Sequence, residues 1–323
     1  MQVVFVEQSQ TEIVNVPQNK TTKLKELVKN FMLEDDLQAF LNSKNYTVKS
    51  FKHNGYDMVV NAFLTCDHKN LQKFIDYTKS QKTYLYDNAA GNIIEIANRI
   101  GVHDIFISKI LNLTAIDDKG NYIGPGEILF GLLFDDVKND ASTGDLTYCN
   151  VPMEVKCRGG RFGDRPSIGN RIPLDFFIRG LIPQDQIDLY LSQYSDIKDI
   201  CTHVRAGFDL CVDKYTFYKN FIKIIDDLYG RGNQITSKYI SIDDLKSVFL
   251  DKKLAKIYIY GKILSKGISH ILFIDKNFNY KLLERYDILK DGGLIDDRTL
   301  NVGQFKFNDL YPQVSLNTIS ENV

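Results

Sequence analysis

Between Gly144 and Gly163 the chain reads GDLTYCNVPMEVKCRGGRFG, with two carboxylates and a lysine at spacings that suit chemistry on phosphate. Side chains alternate faces along a strand, so Glu154 and Lys156 share one face while Met153, Val155 and Cys157 share the other. The apolar face is expected in the core and the charged face in a cleft. Leu146, Tyr148 and Val151 flank Asn150, and Pro152 opens the second run. That pattern predicts two short antiparallel strands joined by a tight turn, which brings Asp145 towards the Glu154/Lys156 face.

Two carboxylates beside an ammonium suit phosphodiester hydrolysis. A hard divalent cation such as Mg²⁺, with Mn²⁺ as substitute, takes oxygen ligands and keeps several waters. It polarises phosphate and supplies hydroxide, while a lysine holds the attacking water or offsets developing charge. Arg158, Arg161, Arg165, Arg171 and Arg179 follow directly and are half of the chain's ten arginines. From Lys156 to Arg171 five basic residues face one acidic residue, Asp164, although the whole chain has a net charge of only −1. Guanidinium groups grip phosphate bidentately, so Arg158, Arg161, Arg165 and Arg171 are candidate backbone-binding residues for a nucleic acid.

The arrangement resembles the PD-(D/E)xK nuclease superfamily, in which an acidic residue starts one strand and Glu-x-Lys lies on the next. Here these are Gly144-Asp145 and Glu154-Val155-Lys156, with Gly144 where the family has proline. The family often carries a further acidic residue on a preceding helix, and Gly124-Pro125-Gly126-Glu127 opens the apolar run Ile128–Phe134. The resemblance implies a catalytic set of Asp145, Glu154, Lys156 and Glu127, with Asp145, Glu154 and the Val155 carbonyl as metal ligands, Glu127 as a further ligand or a base just beyond the ligands, and Lys156 orienting or activating water. It further implies Mg²⁺-dependent cleavage of DNA, and many members act as homodimers. The motif covers residues 124–163. Restriction, repair, recombination and phage DNA processing all use the superfamily, and the expected location is cytoplasmic, in the host cytoplasm or a virion if the chain is phage-encoded.

Acidic-x-Lys tripeptides are common by chance, and Asp67-His68-Lys69 and Asp136-Val137-Lys138 are internal controls. They lack the partner strand and the arginine turn. The plainer alternatives are a cross-face ion pair for Glu154 and Lys156, a turn residue for Asp145, and a helix N-terminal charge for Glu127. A non-catalytic DNA-binding or structural component, for example of a phage particle, is the second functional reading. A third reading, a small-molecule enzyme, lacks support, because the sequence shows no well-placed glycine-rich phosphate loop after a strand, no Ser/His/Asp arrangement and no metal–histidine cluster.

The elements that must position these residues predict a mixed α/β (α+β) chain. An N-terminal accessory α/β unit is expected over 1–85. A restriction-endonuclease-like domain with a central mixed sheet flanked by helices is expected over 86–323. Val3–Val6 and Glu12–Val16 read as a hairpin, Leu24–Phe31 as a helix, and Tyr56–Phe63 as strand-like alternation. From Asn88 to Leu113 the spacing of Ile93, Ile94, Ile96, Ala97 and Ile100, then of Ile105, Ile107 and Ile110, reads as helices, with His103 among them as a structural histidine. Residues 173–228 are read as a long helical region with Tyr215, Phe217, Tyr218 and Phe221 in the core. Lys256–Gly261 and His270–Ile274 read as β-rich runs, with a hairpin turn at Asp275-Lys276-Asn277 leading into Tyr280–Leu283. The five cysteines, without C-x-x-C spacing, predict reduced packing thiols, Cys149 and Cys157 included. No apolar run is long enough to span a membrane, and MQVVFVEQ reads as a first strand rather than a secretory signal.

Overall fold

The computed structural model describes residues 2–7, 10–15, 18–47, 55–102, 109–110, 115–116, 122–139, 144–157, 161–163, 174–230, 234–247, 250–275, 277–285, 302–308 and 311–316. The fold is mixed α/β and divides into two compact units, Met1–Asn88 with Asn92–Asp140, and Ala89–Gly91 with Ala141–Val323. The boundary read near residue 85 therefore moves: residues 92–140, Glu127 among them, belong with the N-terminal unit.

The first unit opens with β1 (Gln2–Glu7) and β2 (Gln10–Asn15), an antiparallel pair where the sequence predicts a hairpin. Helices Gln18–Phe31, Glu34–Ser43, Gly55–Leu64 and His68–Ser80 follow. The chain then contributes β3 (Ala90–Asn92), whose first two residues belong to the second unit. Helix Ile93–Ile100, strands β4 (Ala115–Ile116) and β5 (Tyr122–Ile123), helix Pro125–Leu133 and β6 (Val137–Lys138) complete this part.

The strand-like reading of Tyr56–Phe63 is overturned, since it forms helix Gly55–Leu64. Tyr56, Val59, Val60, Phe63 and Leu64 are all buried. Their spacing of three and four residues is helical, and Ala62 on another face blurred it into alternation. Asn30 pins this unit by donating to the Leu64 and Cys66 carbonyls at 2.8 and 2.9 Å.

In the second unit, β7 (Leu146–Tyr148) turns through Cys149 and Asn150 into β8 (Val151–Cys157), followed by β9 (Arg161–Gly163). Both turn residues have positive φ, 48° and 64°, the conformation of a two-residue hairpin loop. Cys149 is exposed in that turn, which corrects its reading as a packing residue. Helices Leu174–Leu181, Ile187–Tyr194, Ile200–Leu210, Lys214–Ile225, Ile235–Tyr239 and Leu250–Ser265 come next. Strands β10 (His270–Ile274), β11 (Asn279–Glu284), β12 (Val302–Asn308) and β13 (Tyr311–Leu316) close the order.

Within this unit the sheet runs β3-β11-β10-β8-β7, with β8 and β10 parallel and the pairs β10/β11 and β7/β8 antiparallel. The helical region is thus a crossover between two parallel strands, as parallel pairing requires. β10 is buried on both faces: Ile271 and Phe273 join the helical core, and Leu272 and Ile274 are buried opposite them. A second sheet, β12-β13-β9, adds Phe305, Phe307 and Val314 to that core.

Lys256–Gly261, read as a strand, lies in helix Leu250–Ser265. Every residue from Leu254 to Gly261 is buried, so this helix has no polar stripe to betray its period. Among the aromatics of helix Lys214–Ile225, Phe217 and Phe221 are core as expected, whereas Tyr215 is 58% exposed.

Candidate metal centre

Gly144 has a φ of +82°, which proline cannot adopt, and a Cβ there would lie 2.9 Å from the Met153 carbonyl oxygen. Glycine at position 144 is therefore a local necessity. Asp145 follows immediately, its amide donating to the Met153 carbonyl at 3.0 Å. Leu146 pairs with Met153, so Asp145 stands beside Glu154 at the mouth of the hairpin. Asp145 Oδ2 also accepts the Val155 amide proton at 2.8 Å.

On β8, Glu154 and Lys156 are in register with Ile271 and Phe273 of β10, the residues that face the helical core. Their face is accordingly covered rather than open: Glu154 is only 5% exposed, while Asp145 and Lys156 are half-buried. A buried carboxylate is stable only with compensating partners. Glu154 has two. Lys156 Nζ donates to Glu154 Oε1, and Lys266 Nζ lies 3.2 Å from Oε2 and 3.5 Å from Oε1. The Lys156 ammonium also donates to the Val155 carbonyl at 3.1 Å and lies 3.5 Å from Asp145 Oδ2.

These surroundings push the two carboxyls apart. Burial raises the Asp145 carboxyl above its ordinary range, and Lys156 offsets this only in part. Burial acts in the same direction on Glu154, but the charges and hydrogen bonds of Lys156 and Lys266 outweigh it and hold that carboxyl low. Glu154 is therefore the firmly ionised member of the pair.

Asp145, Glu154, Val155 and Lys156 thus come together as the sequence expects. Glu127 lies in the other unit, and its Oε1 accepts the Gly124 amide proton at 2.8 Å, the contact of a helix N-terminal cap. Arg158, Arg165, Arg171 and His103 lie outside the described residues, and of Arg161 only the backbone, in β9, is described. Arg179 is engaged by Asp175 one helical turn away, at 2.8 Å. Lys266 was missed by sequence reasoning. It follows a segment read as strand, and a lysine at a helix C-terminus ordinarily signals only the helix dipole.

No family model matches this chain, and neither does any curated protein or solved structure. The chemistry is therefore read from the side chains. Two carboxylates and a backbone carbonyl, all oxygen donors, already converge on one cationic group, the Lys156 ammonium. That donor set fits Mg²⁺ or Mn²⁺ and lacks the sulfur or imidazole that softer metals favour.

A second group, Asp199, Cys201 and Asp251, is also close enough to share an ion. Its atoms also make contacts within the fold. Asp199 caps helix Ile200–Leu210 through the Cys201 and Thr202 amides, and Asp251 Oδ1 accepts from the Phe305 amide at 3.1 Å and from the Cys201 thiol at 3.4 Å. Burial and the neighbouring aspartates push that thiol far up.

Proposed function

We propose that the Asp145/Glu154/Lys156 centre belongs to a Mg²⁺-dependent nuclease that hydrolyses phosphodiester bonds in DNA, on a restriction-endonuclease-like sheet. The observation that carries this reading is the convergence of the Asp145 carboxylate, the Glu154 carboxylate and the Val155 carbonyl on a single cationic group. Asp145, Glu154 and the Val155 carbonyl would hold the metal, which when bound polarises the phosphate and lowers the pKa of its water. Glu154, held ionised, supplies the permanent negative charge of the site. Lys156 is placed to orient the attacking water and to offset charge developing on the phosphate. Lys266 also holds Glu154, more closely through Oε2. DNA as substrate is supported by the arginine-rich segment that leaves β8 directly after Lys156.

The experiment is cleavage of circular and linear DNA, double- and single-stranded, with Mg²⁺ or Mn²⁺, comparing wild type with Glu154→Gln and Lys156→Met. Metal-dependent cutting that both variants lose, with circular dichroism unchanged, is the expected result. A wild type that binds DNA but cuts none of these substrates with either metal would favour the non-catalytic DNA-binding component instead.

Among the described residues no helix is long and apolar enough to cross a membrane.

A further inference from the structure

The three oxygen donors of the centre do not surround open space; they surround the end of a side chain. Lys156 Nζ donates to Glu154 Oε1 and to the Val155 carbonyl at 3.1 Å, and sits 3.5 Å from Asp145 Oδ2. An ammonium and a divalent ion compete for the same carboxylate lone pairs, and they cannot share one seat. Lys266 differs. It touches only Glu154 within this set, its side chain is 46% exposed, and it approaches from the end of the crossover helix.

We propose that Lys156 is a built-in occupant of the cation seat. Its ammonium holds Asp145, Glu154 and the Val155 carbonyl in their ligand arrangement and must leave before a divalent ion can enter, whereas Lys266 keeps its hold on Glu154 throughout. The seat is thereby preorganised without a metal, and the lysine's departure delivers its charge to where the reaction needs it. Metal affinity in the resting protein is weakened by this competition, and occupancy is gated by the metal concentration. A cation site at Asp145 and Glu154 is presupposed here, so the experiment has to read the two ideas separately.

The test is Mn²⁺ binding to the full chain without DNA, followed by the paramagnetic resonance of the free ion, for wild type, Lys156→Met and Lys266→Met. Both substitutions remove one positive charge from Glu154, but only the first empties the seat. Lys156→Met is expected to bind Mn²⁺ about tenfold more tightly than wild type, and Lys266→Met to gain clearly less. A gain for Lys156→Met no larger than that for Lys266→Met, or a loss, overturns the seat assignment while leaving the metal centre standing. Absence of Mn²⁺ binding in all three proteins overturns both. Labelling of wild-type Lys156 with an amine-reactive reagent needs no variant to fold. Reactivity should rise as Mn²⁺ is added, and a constant or falling rate overturns the proposal.

Discussion

The Val155 amide donates to Asp145 Oδ2 at 2.8 Å, so the carboxylate at the mouth of the hairpin is bound to the backbone between Glu154 and Lys156. Position 145 therefore has a structural duty separable from its charge. Asp145→Ala leaves a strand amide without its acceptor and should cost about 1–3 kcal/mol of stability. Asp145→Asn keeps an acceptor oxygen and should cost distinctly less, yet abolish metal-dependent cleavage equally. Urea denaturation of the two variants checks this, and equal losses of stability would show that the hydrogen bond contributes little.

Gly144 makes the same hairpin intolerant of side chains. With φ at +82° and the Met153 carbonyl oxygen 2.9 Å from where a Cβ would lie, Gly144→Ala should lose about 1–3 kcal/mol. Gly144→Pro, which restores the residue typical of the resembled family, should melt lower still, because its φ is held near −65°. Thermal melts of the two variants decide it. A proline variant as stable as wild type would mean that this turn has another conformation.

His203 supplies a pH dependence. It is buried, its Nε2 donates to the Ile197 carbonyl at 2.8 Å, and Nδ1 accepts from the Tyr190 hydroxyl at 2.7 Å. Burial lowers its pKa below the ordinary value of 6.5 despite the Ile197 carbonyl and Asp199. The unfolded chain then binds the proton more readily than the fold, so stability is full at neutral pH and falls as the pH drops below 6.5. The urea midpoint should decline between pH 7 and about 5.5 in wild type and decline less in His203→Gln. Parallel declines would remove His203 as the cause.

Glu127 acts on its own helix. Its Oε1 satisfies the Gly124 amide, one of the orphan donors of helix Pro125–Leu133. Glu127→Ala should lower stability by about 1 kcal/mol, while Glu127→Gln, which retains the acceptor, should lose only a fraction of that. Denaturation midpoints distinguish the two. Indistinguishable losses would mean that the charge at the helix terminus, and not the hydrogen bond, is what matters.

How far the site was legible follows from how local each of its contacts is. The β7/β8 hairpin could be read because alternation along a strand is covalent geometry and because Asn150 accepts the left-handed turn it occupies. Glu154 and Lys156 share a face for the same reason, and Asp145 is brought near by a two-residue loop. The helix Leu250–Ser265 was misread because burial on all sides erases the polar stripe that reveals a helical period. The arginine segment was legible only as composition.

The sequence by itself determined the hairpin, the residue types it presents and the oxygen-rich chemistry they allow, since these depend on neighbours within about a dozen positions. Only the tertiary structure decided that Glu154 is buried, that the Lys156 ammonium sits among three oxygen donors, and that Lys266 arrives from 112 residues away. It also decided that Glu127 belongs to the other unit. Such meetings depend on the parallel register of β8 with β10 and on the packing of the crossover helices, which are sums over many distant contacts that no local pattern encodes.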